Sequence, residues 1–458
     1  MKRKQIAEGV IDHVDYPNKG KLVSEDGTRV TVKNTVPGQK ISYRIIRANA
    51  ERAEGKMLEI LENSPVETRP SACDIFPSCG GCLMQKVPYE EQLKIKTDEV
   101  TRLLSPYLDG KTQFDGIRRS PDEFAYRNKM EFSFGNETMG GPLTLGLHRR
   151  ATTYDVLNAD SCRIVHEDFG KILKCTLDYC VKRNFTPYNK RSHEGFLRWL
   201  LIRRSHESGE LLICVVTSSQ NDCDFRDWAE EIRELPLKGR AAGILHAVCD
   251  NPSDNVQTER LNLLYGRSWF SENLLGLKFR ISLFSFFQTN SAGAEILYRT
   301  VRDYVGSAAD GKVLYDLYCG TGTIGQILSA NAEKVYGIEL VEEAVEAAKE
   351  NASENGIENC RFLCGDVLKM LDEIEEKPDY IILDPPREGI VPKALMKLIE
   401  YNVPRMVYIS CKASSLAKDL HELRMYGWRI ERWSLVDLFP QTPHVETVVL
   451  MSRVENQP

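Results

Sequence analysis

Three residues able to carry out covalent and acid–base chemistry follow or open β-prone runs in the C-terminal third of the chain. Asp384 follows the run 380–383, Cys411 follows the run 406–410, and Glu446 opens the final run. A thiolate can add to an electron-poor carbon, and a carboxylate can later accept a proton. These residue types indicate covalent catalysis, although a lone cysteine at a strand end also fits a small buried apolar residue.

The segment Asp384-Pro385-Pro386-Arg387 predicts a rigid loop, because adjacent prolines cannot continue a helix or a central strand. Such a loop would aim Asp384 at a planar base. When a thiolate adds to carbon 6 of uracil, carbon 5 becomes nucleophilic towards a methyl donor, and a base must then remove the carbon 5 proton. Cys411 and Glu446 fit these two roles, and Lys412 is a candidate for stabilising the thiolate.

A glycine-rich turn, Gly320-Thr321-Gly322-Thr323-Ile324-Gly325, lies between a predicted strand and a predicted helix. Glycines let the backbone turn tightly and approach a ligand closely, and this spacing alone also fits a dinucleotide. Glu339 ends the next predicted strand and Asp366 ends the third, where they could meet ribose hydroxyls and an adenine edge. This pair favours S-adenosylmethionine over NAD, while a turn or helix N-cap is the alternative role for Asp366.

The elements that must position these residues alternate between strands and helices over residues 286–458. Strands are predicted at 312–317, 334–338, 360–363, 380–383 and 406–410, and helices at 294–305, 341–355 and 393–401. The alternation predicts a Rossmann-like α/β domain with a doubly wound parallel sheet, which binds ligands at the carboxyl ends of its strands. The last two runs, 429–436 and 446–451, leave no room for a crossover helix. The final strand is therefore predicted to be antiparallel, which brings Glu446 to the same edge.

The rest of the chain predicts two further domains. Residues 1–62 carry short β-prone runs between turn signals, which is typical of an OB-like barrel, and their basic residues fit either a solvated surface or RNA contact. Residues 63–285 combine a helix at 89–104 with strand-like runs and predict a mixed α+β central domain. The predicted domains are therefore 1–62, 63–285 and 286–458.

Bulk composition limits the class of protein. The chain has 458 residues, 42% of them hydrophobic, and a net charge of −6, so any nucleic-acid contact must come from local basic patches. We find no apolar run that predicts a signal peptide or a membrane span, and we expect a cytoplasmic protein.

The cysteines are unevenly distributed. Three of the 13 crowd into one Pro- and Gly-rich segment, as Cys73, Cys79 and Cys82. Without a secretion signal, such a group predicts metal ligation rather than disulfides. Zinc and an iron–sulfur cluster fit the spacing about equally, and Cys162 is the best candidate for a fourth ligand.

Several motifs together resemble those of the RNA 5-methyluridine methyltransferases. They are Ser285-Phe286-Phe287-Gln288-Thr289-Asn290, the segment 316–322, Asp384-Pro385-Pro386-Arg387, Ser410-Cys411 and His444-Val445-Glu446-Thr447. The resemblance implies that Cys411 is the nucleophile and Glu446 the base. It also implies that the cofactor and base pocket is lined by Gln288, Tyr318, Glu339 and Asp384. Gln288 is singled out by the resemblance alone, since its residue type fits a helix cap or a surface position equally.

The resemblance extends over nearly the whole chain. Residues 1–62 look like a TRAM domain, a small RNA-binding barrel. The central region looks like the RNA-binding domain of the 23S ribosomal RNA branch, including Tyr126-Arg127-Asn128-Lys129, for which a strand with a buried tyrosine is the alternative. That branch carries a [4Fe–4S] cluster on this cysteine pattern, so the resemblance implies that its ligands are Cys73, Cys79, Cys82 and Cys162.

We therefore predict an S-adenosylmethionine-dependent RNA (uracil-5-)-methyltransferase that acts on 23S ribosomal RNA as a cytoplasmic monomer without membrane contact. A transfer-RNA uracil methyltransferase and an RNA-binding ribosome-assembly factor with a vestigial pocket are the alternatives. An exocyclic-amine methyltransferase usually has an aromatic residue where Arg387 stands, and a cytosine carbon 5 enzyme needs a second suitably placed cysteine.

Overall fold

The computed structural model describes residues 2–252, 258, 260–306 and 311–453. The chain forms two compact units, each assembled from separate stretches. The first unit comprises Met1–Pro70, Leu83–Pro121 and Gly293–Pro458, and the second comprises Ser71–Cys82 and Asp122–Ala292. The division into three domains stays a prediction. Within the described ranges, no helix is long and apolar enough to cross a membrane.

The strands and helices follow one another in a β-rich, a mixed and an alternating part. The N-terminal elements are β1 (Ile6–Val10), β2 (His13–Asp15), β3 (Lys19–Val23), β4 (Arg29–Lys33), β5 (Lys40–Ala48), β6 (Arg52–Glu62), α1 (Tyr89–Leu104) and β7 (Gln113–Arg118). The middle elements are β8 (Lys129–Asn136), β9 (Leu143–His148), β10 (Val156–Asn158), α2 (Glu167–Lys182), β11 (Leu197–Arg204), β12 (Glu210–Thr217), α3 (Arg226–Arg233), β13 (Arg240–Val248), β14 (Arg260–Gly266), β15 (Trp269–Leu274) and β16 (Leu277–Ser282). The C-terminal elements are α4 (Ser291–Val305), β17 (Val313–Leu317), α5 (Thr323–Leu328), β18 (Lys334–Glu339), α6 (Glu342–Glu354), β19 (Cys360–Cys364), α7 (Val367–Glu373), β20 (Tyr380–Leu383), α8 (Pro392–Glu400), β21 (Arg405–Ser410), α9 (Ala413–Met425), β22 (Trp428–Val436) and β23 (Glu446–Arg453).

The N-terminal strands form a six-stranded sheet in the order β1-β5-β6-β4-β3-β2. Burial alternates along its strands: in β4, Val30 and Val32 are buried while Arg29 and Lys33 are exposed. This period of two is expected when one face of a sheet covers a core and the other meets water.

The first unit also contains an eight-stranded sheet in the order β19-β18-β17-β20-β21-β23-β22-β7. Strands β17 to β21 run parallel to their neighbours in this set. Strand β23 is antiparallel to both β21 and β22, which confirms the predicted direction of the final strand. The chain leaves β17 for β18 on one side and takes up β20 on the other, which makes a topological switch point of the kind that binds ligands.

The sheet core explains why the strand ends are firmly held. All four residues of β20 are buried, as is expected of a parallel strand covered on both faces. Helices α8 and α9 supply much of that cover, through buried side chains that include Leu395, Leu398, Leu416 and Leu420. Only the residues just beyond the strands are therefore free to meet a ligand.

The second unit is built on a seven-stranded sheet in the order β10-β9-β8-β11-β12-β13-β14, and β15 and β16 form a separate hairpin. Strand β12 is buried along its whole length. Tyr126 is only 3% exposed. This burial fits the alternative for its segment, a strand with a buried tyrosine.

Candidate active site

Three predicted site residues lie at one edge of the eight-stranded sheet. Asp384 directly follows β20, Cys411 directly follows β21, and Glu446 is the first residue of β23. Since β23 runs against its neighbours, its beginning lies beside the carboxyl end of β21, where Ser410 pairs with Thr447. A possible nucleophile and two carboxyl groups therefore meet at the ligand-binding edge.

Burial makes the two carboxyl groups of this edge hard to ionise. It raises the pKa of Asp384 to about 7. It is also the largest cause that raises the pKa of Glu446 to about 8, where the neighbouring Asp384 adds to the rise and Arg387 opposes it. A carboxyl with a pKa close to neutrality is a stronger base than an ordinary glutamate and is still partly ionised at physiological pH.

The thiol of Cys411 is half-buried in the same place. Burial is the largest cause that raises its pKa to about 11, and the charges of Glu446 and Asp384 add to the rise. The Arg387 guanidinium opposes this shift through a hydrogen bond to the thiol and through its charge. Arg387 and protonation of the two carboxyls therefore both favour the thiolate.

The sequence makes Lys412 a candidate cation beside the thiol, and in the structure Arg387 is a cation that acts on it. The Lys412 ammonium approaches Glu388, with Nζ 3.9 Å from Oε1. Neighbouring residues on an extended chain point in different directions, so adjacency to Cys411 does not bring the lysine to the thiol. Arg387 was visible only as the polar residue that follows two prolines.

The Asp-Pro-Pro-Arg loop is tied to helix α9 and strand β21. The Ser415 hydroxyl donates to the Arg387 carbonyl oxygen at 2.6 Å. The Ile390 N–H and the Tyr408 hydroxyl both donate to Oδ2 of Asp419, at 3.0 and 2.6 Å. These bonds fix the loop against the helix that begins two residues after Cys411, which explains how Arg387 is held beside the thiol.

The glycine-rich turn lies at the carboxyl end of β17. The Gly320 N–H donates to Oε2 of Glu339 at 3.1 Å, and Oε1 of Glu339 accepts the N–H groups of Leu340 and Val341 at 2.8 and 3.0 Å. An ionised carboxylate offers about four acceptor positions, so it keeps capacity for a hydroxyl of a ligand. A carboxylate that accepts hydrogen bonds fits the hydroxyls of a ribose better than a negatively charged phosphate.

Backbone conformation in this turn is unusual. Tyr318 has φ of 64°, in the left-handed region that a bulky residue adopts only where its surroundings enforce it. Gly322 has φ of 71°, and a Cβ at this position would lie 2.5 Å from the Phe362 ring. Burial raises the pKa of Tyr318 to about 12, so its hydroxyl stays protonated and can donate.

Two aspartates around the turn act on the backbone. Asp366 is exposed and caps α7, accepting the Leu368 N–H at 3.0 Å, which is the alternative role that its sequence position allowed. Asp316, which the sequence did not single out, is fully buried and accepts the Gly325 N–H at 2.8 Å. Asp316 thereby holds the first turn of α5 against β17.

Gln288 lies in the second unit, beyond the end of β16. Its main-chain carbonyl accepts a hydrogen bond from Nδ2 of Asn128 at 3.0 Å. Nδ2 of Asn128 also donates to the Ser291 hydroxyl at 2.9 Å. Asn128, one residue of the predicted RNA-contacting segment, is therefore a structural link to the Gln288 segment.

The four cysteines predicted as ligands are neighbours in the second unit. Cys73 and Cys79 lie close enough to Cys162 to raise the pKa of its thiol. Cys79 and Cys82 likewise lie close enough to the Arg150 guanidinium to raise its pKa. The Gly81 N–H donates to Sγ of Cys79 at 3.4 Å, and Arg150 donates to the carbonyl oxygens of Cys79 and Cys82. In the ranges that the structure describes, no group of three or more His, Cys, Asp or Glu side chains is arranged to hold a metal ion.

Comparison with known proteins gives the family. Residues 276–454 match the family model of the tRNA (Uracil-5-)-methyltransferases. An uncharacterised RNA methyltransferase of Clostridium tetani is 46% identical over 454 residues, which cover 99% of each chain. The chain belongs to the RNA (uracil-5-)-methyltransferase family. Another uncharacterised RNA methyltransferase, of Caldanaerobacter subterraneus, is 45% identical over 99% of this chain and 100% of its own.

One solved structure is similar to this protein over nearly the whole chain. The tRNA (uracil-54, C5)-methyltransferase of Pyrococcus abyssi, solved with S-adenosyl-L-homocysteine, is 25% identical, with a TM-score of 0.75. The match covers 97% of this chain and 100% of that chain. Membership of this family confirms that the protein is an S-adenosylmethionine-dependent enzyme and that its substrate is RNA.

Proposed function

We propose that this enzyme methylates carbon 5 of a uracil in 23S ribosomal RNA, with Cys411 as nucleophile and Glu446 as base. The observation that carries the proposal is the meeting of Asp384, Cys411 and Glu446 at one edge of the sheet, with the Arg387 guanidinium close enough to lower the pKa of the thiol. A structural cysteine has no need of a guanidinium and two hard-to-ionise carboxyls around it.

In the proposed reaction, the Cys411 thiol passes its proton to the neighbouring ionised Asp384 carboxylate, and its sulfur forms a bond to carbon 6 of the uracil. The electron pair of the 5,6 double bond moves into an enolate that ends on the oxygen of carbon 4, and carbon 5 becomes nucleophilic. S-adenosylmethionine supplies the methyl group when bound. After carbon 5 carries the methyl group, Glu446 takes its proton, the double bond re-forms, and the thiolate leaves.

Asp384 is proposed to orient the uracil ring. Its position directly after β20, ahead of two prolines, holds it at the mouth of the site. A carboxyl with a pKa of about 7 can accept a hydrogen bond from the ring N–H when ionised, or donate one to a ring carbonyl when protonated. Either bond would fix the ring with carbon 6 towards the sulfur.

The cofactor is proposed to contact Tyr318, Gly320, Glu339 and Asp366. The remaining acceptor capacity of Glu339 supports a bond to ribose hydroxyls, and the Gly320 turn supports close approach of the ligand to the backbone. Asp366 already caps α7, so its contact with adenine would use the oxygen that does not accept the Leu368 N–H. Gln288 stays a proposed contributor on the strength of its motif alone.

We also propose that Cys73, Cys79, Cys82 and Cys162 hold a [4Fe–4S] cluster. The N–H bond to Sγ of Cys79 and the main-chain N–H groups of Ile164 and Val165 at Cys162 support this, since such donors stabilise cluster sulfurs. Uracil methylation needs no electron transfer, so the cluster would order this loop for RNA binding. The six-stranded N-terminal sheet is the proposed TRAM barrel.

Transfer RNA is the second candidate substrate. The solved Pyrococcus abyssi structure, named as a tRNA (uracil-54, C5)-methyltransferase, matches 97% of this chain, including its N-terminal part. Because the likeness to a transfer-RNA enzyme spans nearly the whole chain, the presence of an N-terminal region before the methyltransferase domain does not by itself favour ribosomal RNA.

A direct competition distinguishes the two substrates. We would incubate the enzyme with 23S ribosomal RNA and transfer RNA, both from a strain that lacks this protein, and map 5-methyluridine by nucleoside and fragment mass spectrometry. The proposal expects new 5-methyluridine in 23S RNA. Methylation of transfer RNA alone would favour the second candidate. A methyl group on another atom, or no transfer to either RNA, would contradict uracil methylation itself.

A further inference from the structure

One side chain of the N-terminal sheet region is buried in the hydrophobic core of the eight-stranded sheet and not in the core of the six-stranded sheet. Tyr16 lies between β2 and β3 and is only 6% exposed. It belongs to the hydrophobic cluster that includes Ala413 and Leu416 of α9 and Val445 just before β23. Val14 and Leu22, on either side along the chain, belong to the separate core of the N-terminal sheet.

The Tyr16 hydroxyl reaches the backbone next to the proposed nucleophile. It faces the main-chain N–H of Ala413, the first residue of α9, two residues after Cys411. Burial is the largest cause that raises the pKa of Tyr16, and the nearby Glu446 and Cys411 raise it further. The phenol therefore stays neutral beside this pair.

The loop that carries Tyr16 is anchored on both sides. The Asn18 N–H donates to Oε2 of Glu99 on α1 at 3.1 Å, and the Asn18 side chain exchanges two hydrogen bonds of 2.9 Å with the Thr35 main chain. On the other side, Asp15 lies 3.5 Å from the Arg102 guanidinium of α1. Because these contacts fix the loop, little entropy remains to be lost when the tyrosine is held against α9.

We propose that Tyr16 is a positioning residue for Cys411 and Glu446, so that the N-terminal sheet region completes the active site instead of serving only RNA binding. The inference rests on the proposed function. Tyr16 packs in the same core as Ala413 and Val445, the neighbours of this pair along the chain, and its hydroxyl faces an N–H of the first turn of α9, where helix donors lack intrahelical partners. It thereby fixes the backbone that follows Cys411, and its ring keeps water from this side of the pair.

The test compares two buried tyrosines of the same region. Tyr16→Phe removes the hydroxyl and keeps the ring. The matched control is Tyr43→Phe: Tyr43 is fully buried in the N-terminal core, and its hydroxyl has no partner among the described residues. For each protein we would measure kcat and KM with RNA, and the rate at which iodoacetamide alkylates Cys411, followed on its peptide by mass spectrometry.

We expect Tyr16→Phe to lower kcat about tenfold, near the upper range for one lost hydrogen bond, with KM for RNA within about twofold. Alkylation of Cys411 should become at least about threefold faster, because the Ala413 N–H no longer faces the phenol oxygen and can favour the thiolate. Tyr43→Phe should change neither quantity. If Tyr16→Phe folds poorly, Asn18→Gly loosens the same loop while tolerating its φ of 46°, and should change both in the same direction.

Unchanged kcat and alkylation in Tyr16→Phe would overturn the inference. A rise in KM alone would also overturn it, because Tyr16 would then be an RNA contact. If the wild-type enzyme makes no 5-methyluridine, the proposed function fails, and the alkylation rate still reports whether Tyr16 controls the thiol.

Discussion

Cys411 and Cys162, one of the proposed cluster ligands, are alike in burial and different in their neighbours. Burial raises the pKa of Cys411 and of Cys162 to about 11 in each case. Around Cys411 stand two carboxyls and one guanidinium, whereas around Cys162 stand other thiols and main-chain N–H groups. Burial therefore does not distinguish a nucleophile from a proposed ligand, and the neighbouring groups do.

The neighbours differ because the two roles need charge at different times. A ligand thiolate is charged permanently, and N–H donors can compensate it permanently. A nucleophile must be neutral before the reaction and charged during it, so its neighbours must exchange protons within the working pH range. Asp384 and Glu446, with pKa values of about 7 and 8, can do so.

The sharpest test of this difference is Cys411→Ser. We expect methyl transfer to fall on the order of 10⁴-fold or more, because a hydroxyl is a far weaker nucleophile in the same place. The matched control is Cys175→Ser: Cys175 is also half-buried, burial also raises its pKa to about 11, and it also lies near a carboxylate, that of Glu231. No guanidinium is among the main groups that shift the pKa of Cys175. The Cys175→Ser variant should therefore keep full activity.

Initial rates of methyl transfer to RNA, with circular dichroism to verify folding, would check this prediction. Substantial activity in Cys411→Ser would contradict the nucleophile role. A loss of equal size in Cys175→Ser would show that the assay reports thiol burial instead of chemistry.

Glu446→Gln should separate the two halves of the reaction. Product release should fall about 10²- to 10⁴-fold, since the amide cannot accept the carbon 5 proton, while sulfur attack remains possible. The enzyme should then accumulate a covalent adduct with RNA, visible as a shifted band in a denaturing gel and by intact mass. Glu272→Gln removes another buried carboxylate, which accepts the His206 N–H, and should trap nothing. Normal turnover without an adduct would remove Glu446 from its proposed role.

Local signals in the sequence predicted much of the fold. Helix α1 and strand β20 have the predicted bounds, because their apolar spacing and flanking turn residues act within a few positions. The glycine turn and the three strand-end residues were predictable for the same reason, together with the rule that parallel strands end at one edge.

What the sequence could not predict depends on contacts between distant segments. Strand β7 pairs with β22 across more than 300 positions, as Gln113 with Arg432, and no local pattern marks that pairing. Arg387 and Tyr16 act on Cys411 from elsewhere in the chain, and neither position stands out by residue type. The burial of Tyr126 could not be decided from the sequence, since an aromatic beside basic residues fits both a core strand and an RNA contact.

The cysteine group of the second unit should respond differently from Cys411. If it holds a [4Fe–4S] cluster, Cys82→Ser should lose most of roughly four irons per chain and the brown absorbance. Methyl transfer should fall only about tenfold or less, through weaker RNA binding, because the chemistry does not pass through the cluster. The control is Cys180→Ser, which replaces a buried cysteine of α2, and this variant protein should keep the full iron content. Anaerobically purified protein free of iron and inorganic sulfide would contradict the cluster, and zinc in its place would favour the alternative metal.

The smallest expected effect is on stability and concerns Glu446, one of the two carboxyls beside Cys411. Glu446 has an ordinary pKa of 4.5 and a folded pKa of about 8, so the folded state holds its proton more tightly than the unfolded state. The free energy of unfolding should therefore fall as pH rises from about 5 to about 8, where the unfolded glutamate ionises freely and the folded one at a cost. Glu446→Gln stays neutral and should be more stable than the wild type at pH 8, by about 2–4 kcal/mol, with little difference at pH 5. Urea unfolding at the two pH values would measure this slope. An equal slope in wild type and variant would mean that Glu446 ionises without hindrance, and the contrast between the two cysteine environments would then rest on Arg387 alone.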